Sequence, residues 1–308
     1  MLLVANFFWG LSFPLIKAIV LLHAQLVPAG GTWFAAITTV APRFVLATAL
    51  LLAWRPREIW RLTRGEWTQG VIIGLFAAAG MLLQNDGLQF TAASTSAFLT
   101  QFYAILIPVY LAVRQRRNPG VFVWASCALV LAGVALLGRF DWHAWQFARG
   151  EWETLFCSLF FMGQILWLEK KEFAANRPAQ LTFATFATQA VVFCALAGAT
   201  TPSAGALLSP WSSPAWVGLT VVLTVLCTIA SYSIMNAWQP KITATEAGLI
   251  YCIEPIFGSL MALFLPALFS QWAGIDYPNE LATLNLLIGG GLITAANLLI
   301  QLKPPGRA

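Results

Sequence analysis

Gln89-Phe-Thr-Ala-Ala-Ser-Thr95-Ser-Ala97-Phe-Leu99 is answered 150 positions later by Gln239-Pro-Lys-Ile-Thr-Ala-Thr245-Glu-Ala247-Gly-Leu249, with Gln, Thr, Ala and Leu coinciding at four places. A nearby offset of 153 lays Trp9-Gly10 over Met162-Gly163 and Lys17 over Lys170. The two offsets point independently to two copies of one unit. Around them, 59% of the 308 residues are hydrophobic and 9% are charged, against roughly 45–50% apolar and about 25% charged in an ordinary soluble domain. That composition excludes a water-soluble globular protein. The net charge of +5 comes with fourteen Trp and twenty-two Phe, and so few, dispersed charges exclude a nucleic-acid partner. A bilayer span takes about 20 apolar residues, so the chain has room for about ten spans joined by short loops and for no sizeable soluble domain.

Charge, Pro and Gly interrupt the apolar runs and leave ten predicted helices, at 1–22, 33–54, 67–90, 92–113, 119–138, 152–169, 181–201, 214–238, 244–266 and 283–302. The first starts at Met1 without a basic leader or a small-residue cleavage site, and is expected to be a retained helix. Each copy then holds five helices. Five is odd, so the second copy enters the membrane from the opposite side as an inverted repeat. The expected fold class is all-α integral membrane, ten transmembrane helices in two inverted five-helix repeats. The first repeat covers 1–138, an outside connection covers 139–151, and the second repeat with its tail covers 152–308.

Orientation is read from the cations, which stay in cytoplasmic loops. One set of alternate loops and the tail holds thirteen: Arg55, Arg57, Arg61, Arg64, Arg114, Arg116, Arg117, Lys170, Lys171, Arg177, Lys241, Lys303 and Arg307. The other set holds only Arg139 and Arg149. Both termini are therefore expected in the cytoplasm. Trp33, Trp54, Trp67, Trp152, Trp216 and Trp238 fall near helix ends, as interfacial aromatics do, whereas Trp9, Trp124 and Trp167 fall deeper.

An ionisable side chain at the bilayer centre costs about 2.5–3.5 kcal/mol on insertion scales and tends to face the bundle interior or a watery cavity. Glu254 lies in the middle of the ninth segment, immediately before Pro255, on a face through Ala247, Tyr251 and Gly258 that is otherwise small or polar. The repeat-related face in the fourth segment reads Ala97, Gln101, Ala104 and Pro108. The two faces suit the walls of a central cavity, or close helix packing. Arg43 sits at mid-depth after Pro42 and needs a counter-charge, with Glu254 or Asp86 as candidates, or a ring of carbonyl oxygens. It reads either as an anchor for a substrate carboxylate or as half of a fixed ion pair. Lys17 is expected to snorkel to the headgroups. Gln84, Asn85 and Asp86 cluster toward the outer end of the third segment, while Gly70 and Gly74 read as a packing pair within the bundle.

No Gly-Lys-Ser or Gly-Lys-Thr occurs, so no phosphate-binding loop is present. His23 and His143 are expected in outside loops, and the five cysteines fall in apolar helices at no ligand spacing. No metal site, cofactor or disulfide framework is expected. A membrane-embedded enzyme acting on lipids would need a converging dyad or triad, and only scattered acids are found.

Trp9-Gly10 with Lys17, Arg43-Phe44-Val-Leu-Ala47, Gly87-Leu-Gln-Phe-Thr91 leading into Thr95-Ser-Ala-Phe-Leu-Thr100 with Pro108, and Ala247-Gly-Leu-Ile with Glu254-Pro255 together resemble the EamA-type drug/metabolite transporters. The loop from Ser270 to Thr283 is longer than its counterpart in the first half. The resemblance implies a secondary transporter, not an enzyme, that moves small organic metabolites across the plasma membrane by alternating access, more often outward than inward. On this reading Trp9, Gln101 and Tyr251 contact substrate, Glu254 and Asp86 carry the coupling proton, and Asn85 and Asp86 line the outer mouth. Arg43 and Glu254 together point toward amino acids or related zwitterions. A facilitator with no coupling ion is the alternative. The expected partners are the small-molecule substrate, protons and the bilayer, for a monomer or homodimer.

Overall fold

The computed structural model describes residues 1–91, 93–116, 118–137, 148–281 and 283–301. Arg117, Arg139, His143, Lys303, Arg307 and most of the connection 139–151 lie outside the described residues. Among those described, every regular element is helical: α1 (Leu2–Leu26), α2 (Thr32–Trp54), α3 (Pro56–Ile59), α4 (Arg64–Gly87), α5 (Ala93–Thr100), α6 (Tyr103–Gln115), α7 (Val121–Leu137) and α8 (Arg149–Leu168) come first. They are followed by α9 (Pro178–Thr200), α10 (Ala204–Leu208), α11 (Pro214–Thr224), α12 (Ser231–Trp238), α13 (Ala244–Tyr251), α14 (Glu254–Ala262), α15 (Leu265–Ala273) and α16 (Leu284–Gln301). A π-helical turn, Val225–Ala230, joins α11 to α12.

Five stretches are long and apolar enough to cross a bilayer: Leu2–Leu26, Thr32–Trp54, Arg64–Gly87, Pro178–Thr200 and Pro214–Lys241. A sixth is formed if Ala244–Ala262 and Leu265–Ala273, bent by 56°, count as one. The chain is a multi-pass membrane protein. Its boundaries follow from local chemistry. Thr63 and Glu66 make a reciprocal capping box at the start of α4, and Thr243 and Glu246 make another at the start of α13. Pro178 and Pro214 open α9 and α11, where a missing N–H costs nothing. Gly274, at φ 67°, ends α15 in the left-handed conformation that favours glycine.

Two expected single helices are interrupted. The segment 92–113 divides into α5 and α6, and 244–266 into α13 and α14. At both breaks the backbone tightens to i→i−3 bonding: Phe102 N–H to Leu99 O at 3.2 Å and Ala104 N–H to Gln101 O at 2.9 Å, then Cys252 N–H to Leu249 O and Ile253 N–H to Ile250 O, both at 3.2 Å. Pro255 supplies part of the reason, because it has no N–H to offer the carbonyl of Tyr251.

α1 packs on α14 and along α11 and α12; α8 packs on α4, α5 and α6; α2 lies on α9, and α7 on α16. Glycines set the closest approaches. A Cβ on Gly70 would stand 2.4 Å from Ala184 Cβ and one on Gly74 2.8 Å from Thr188 Cβ, so this pair seats α4 against α9 within the bundle. Loop cations converge on one end: Arg177 Nε is 2.7 Å from Glu66 Oε1 and its Nη2 donates to Arg61 O at 2.8 Å, while Glu169 Oε2 accepts from Ala244 N at 3.0 Å. This is called the basic end below. His23 corrects an expectation. It belongs to the last turn of α1, is buried, and meets Thr38 Oγ1 of α2 at 3.2 Å through Nε2.

Candidate functional site

The two helix interruptions meet around a small cavity in the bundle. From α1 come Trp9, Ser12 and Ile16; from α2, Arg43; from α4, Met81 and Gln84. Thr100 and Tyr103 flank the first interruption, and Tyr251 and Glu254 flank the second. Phe161, Gln164, Ile165, Tyr232 and Met235 complete the lining.

Arg43 is 3% exposed and bonds to no carboxylate among the described residues. Its Nε donates to Thr228 Oγ1, and its Nη2 donates to Cys227 O at 3.0 Å. The π-helical turn makes this possible. Widening the helix there frees main-chain carbonyls from the regular ladder, and Thr228 Oγ1 itself donates to Leu223 O, five residues back, at 2.9 Å. Arg43 is thus held by a hydroxyl and a carbonyl while it lines the cavity.

Glu254 lines the same cavity from the first turn of α14, where the helix dipole favours a negative group. It is 8% exposed and pairs with no cation among the described residues. Gln101 stands beside it and Tyr103, buried, with its amide aligned for a hydrogen bond with neither. Trp9 packs edge-on against Tyr251 at 5.3 Å and Tyr232 at 5.8 Å between ring centres, while Tyr251 Oη donates to Gln239 Oε1 at 2.9 Å. These rings form an aromatic part of the lining. Elsewhere in the lining Gln84 Nε2 donates to Thr100 Oγ1 at 3.0 Å.

Of the residues singled out in the sequence, Trp9, Arg43, Tyr251 and Glu254 therefore line one cavity. Gln101 lies behind its wall, because the interruption turns Thr100 and Tyr103 inward in its place. Asn85 and Asp86 lie elsewhere. Asn85 Nδ2 donates to Met81 O at 2.8 Å, and Asp86 is wholly buried in an ion pair with Arg149, whose Nε also meets Glu153 Oε1 at 2.7 Å. Neither of Arg43's expected carboxylates pairs with it. Lys17 donates to Thr91 O at 3.1 Å and ties α1 to the start of α5. Tyr103, Thr100, Tyr232 and Thr228 carry no signal when each helix is read as regular; mapping the faces on either side of Pro255 and of its repeat-related position brings out the first two. At the basic end, burial pushes the Glu169 carboxyl above its ordinary value, against the pull of the Ala244 N–H it accepts. No group of three His, Cys, Asp or Glu among the described residues could hold a metal.

A guanidinium edge and an uncompensated carboxyl face one small, part-aromatic chamber inside a helical membrane protein, which is the class of molecule the geometry defines. The sequence profile of the EamA-like transporter family matches residues 1–139. An uncharacterized transporter of Archaeoglobus fulgidus is 23% identical over 301 residues, 96% of this chain and 82% of that protein. One crystal structure of a protein, 17% identical, aligns over 96% of both chains with a TM-score of 0.63, a likeness of fold. The first half of the chain thus matches the EamA-like transporter family, and nearly the whole chain is similar to a transporter.

Proposed function

We propose that this transporter is a secondary carrier of small zwitterionic metabolites, amino acids or close relatives, exporting them across the plasma membrane by alternating access coupled to protons. Arg43 binds the substrate carboxylate, Trp9 and Tyr251 pack its body, and Glu254 takes its ammonium group or the coupling proton. The observation that carries this reading is Glu254 in the cavity without a cationic partner among the described residues, since an intramembrane acid left uncompensated is retained for what it binds. Asp86, neutralised by Arg149, is assigned a structural part, and coupling falls to Glu254 alone.

The carrier is read as ten spans in two inverted repeats, 1–138 and 152–308, with both termini in the cytoplasm. Support comes from the packing. Exchanging the first five spans with the last five maps α1 on α14 onto α8 on α5 and α6, and returns α2 on α9 and α7 on α16 to themselves. The two helix interruptions also sit at repeat-related positions, around Gln101 and Tyr251. Thirteen cations on one set of loops assign that side to the cytoplasm.

Uptake by proteoliposomes of a labelled panel of amino acids, nucleosides and organic cations, with and without an imposed proton gradient, tests the proposal. Saturable flux of a zwitterion that follows the gradient is expected, and Glu254→Gln should abolish gradient dependence while the protein melts as wild type. Gradient-blind flux in the wild type would make the protein a facilitator; unchanged coupling in Glu254→Gln would remove that residue from the proton path.

A further inference from the structure

A second cavity lies at the basic end between the end of α2, the start of α9 and the stretch from Ile229 to Ala237. It shares no lining residue with the central one. Its floor is apolar, built from Leu51, Ile59, Ile229 and Ala237. Its rim carries Arg55, whose Nη1 lies 3.2 Å from Glu58 Oε2 with both side chains about half exposed, at 46% and 48%. The Arg55 guanidinium stands 5.5 Å from the ring centre of Trp54, a residue 73% exposed.

We propose that this cavity binds one anionic glycerophospholipid, its phosphate on Arg55 and an acyl chain along Leu51 and Ile229. Four observations choose that occupant. Trp54, at the end of a membrane-spanning helix, and Trp60, just after α3, are both strongly exposed and mark headgroup level. The chain segment 55–64 that supplies Arg55 and Glu58 to the rim also carries Arg57, Arg61 and Arg64, a net positive stretch beside the cavity that favours an anionic headgroup. The apolar floor beneath that rim matches a chain attached to the phosphate, and would gain nothing from a free anion. Finally, a phosphate that takes Arg55 does not strand Glu58, because Gln180 Nε2 donates to the same carboxylate at 3.3 Å. The site backs onto the central cavity: Thr228, which holds Arg43, is followed directly by Ile229, which lines the lipid cavity.

Native mass spectrometry of the full chain, released from micelles and titrated separately with phosphatidylglycerol, phosphatidylethanolamine and phosphatidylcholine, tests this. One phosphatidylglycerol should be retained, about fivefold more tightly than phosphatidylcholine, the preference that one arginine near an anionic lipid provides. Arg55→Gln should erase the preference, and Ile229→Trp, which fills the floor, should remove the bound lipid altogether. Arg114→Gln, at an exposed cation outside this cavity, should bind as wild type. Equal retention of the three lipids, or wild-type selectivity in Arg55→Gln, would overturn the proposal. So would a preference for phosphatidylethanolamine, which would mean that Arg55 and Glu58 together read a zwitterionic headgroup, or a dimer mass without lipid, which would make the groove an interface between copies of the chain. All of these readouts are independent of transport, so the lipid site and the proposed carrier function stand or fall separately.

Discussion

Arg43 owes its place to Thr228. A guanidinium inside the membrane with no carboxylate must spread its charge over neutral acceptors, and the π-helical turn supplies two within reach of one side chain. Thr228→Val keeps the shape and removes the acceptor, which leaves a buried charged donor unsatisfied at a cost of about 1–3 kcal/mol. Thermal unfolding in detergent should show the loss, Thr228→Ser should restore most of it, and an unshifted midpoint in the valine variant would mean that water serves Arg43 instead. This partnership was not legible in the sequence. Arg43 and Glu254 stand out as ionisable residues in apolar runs, whereas a threonine in a membrane helix is ordinary, and the widened turn that turns Thr228 toward Arg43 has no local signature. Gln101 misled for a related reason. A regular helix would carry it on the face of Ala97 and Ala104, but the tightened turn after Thr100 directs its neighbours inward.

Among the helices, backbone approach decides what can be altered. α1 crosses α14 at Gly10, where a Cβ would stand 2.6 Å from Phe257 Cβ and 2.8 Å from Gly258 N, one of them main chain that cannot rotate away. The same crossing positions Trp9 and Glu254 in one lining. Gly10→Ala should therefore destabilise by about 1–3 kcal/mol through overpacking and weaken substrate binding with it. Gly290→Ala is the matched comparison: its Cβ would find nothing nearer than Ile256 at 3.8 Å, and in a helix the change should be neutral or stabilising by up to about 1 kcal/mol. Equal melting shifts for the two would show that the α1–α14 crossing gives way easily. Apolar length and the Pro and Gly punctuation were sufficient to place the long helices, because those features act locally. The divisions at 101–102 and 252–253 were not visible, since hydropathy runs unbroken across them and only Pro255 hints at one.

For the molecule as a whole, alternating access, as proposed, requires that the two ends open in turn, and their chemistry differs. At the basic end Arg177 bonds Glu66 through Nε and Nη2 and also reaches Arg61 O, tying the α3–α4 connection to the start of α9. At the opposite end α4 and α8 are locked together: a Cβ on Gly87 would lie 2.8 Å from Gly150 O, and Asp86 is buried against Arg149. On the proposed alternating access, a pair packed this closely is expected to stay together, with opening at this end where α2 meets it. The contacts across that seam include Gln89 Nε2 donating to Thr32 O at 3.0 Å, the Thr32 side chain bonding Asp86, and the Arg149 guanidinium 5.4 Å from the Trp33 ring centre. Trp33→Ala removes a cation–π contact of about 0.5–1 kcal/mol without stranding Asp86, whereas Arg149→Gln would leave a buried carboxylate unpaired and cost several kcal/mol in folding. With Thr100→Cys as a reporter in the cavity, Trp33→Ala should raise the rate of modification by a membrane-impermeant thiol reagent about two- to fivefold from the side opposite the basic end, and leave the rate from the basic side unchanged. A rise from both sides would mean a loosened bundle, and no rise from either would place the opening seam elsewhere than between α2 and the α4–α8 body.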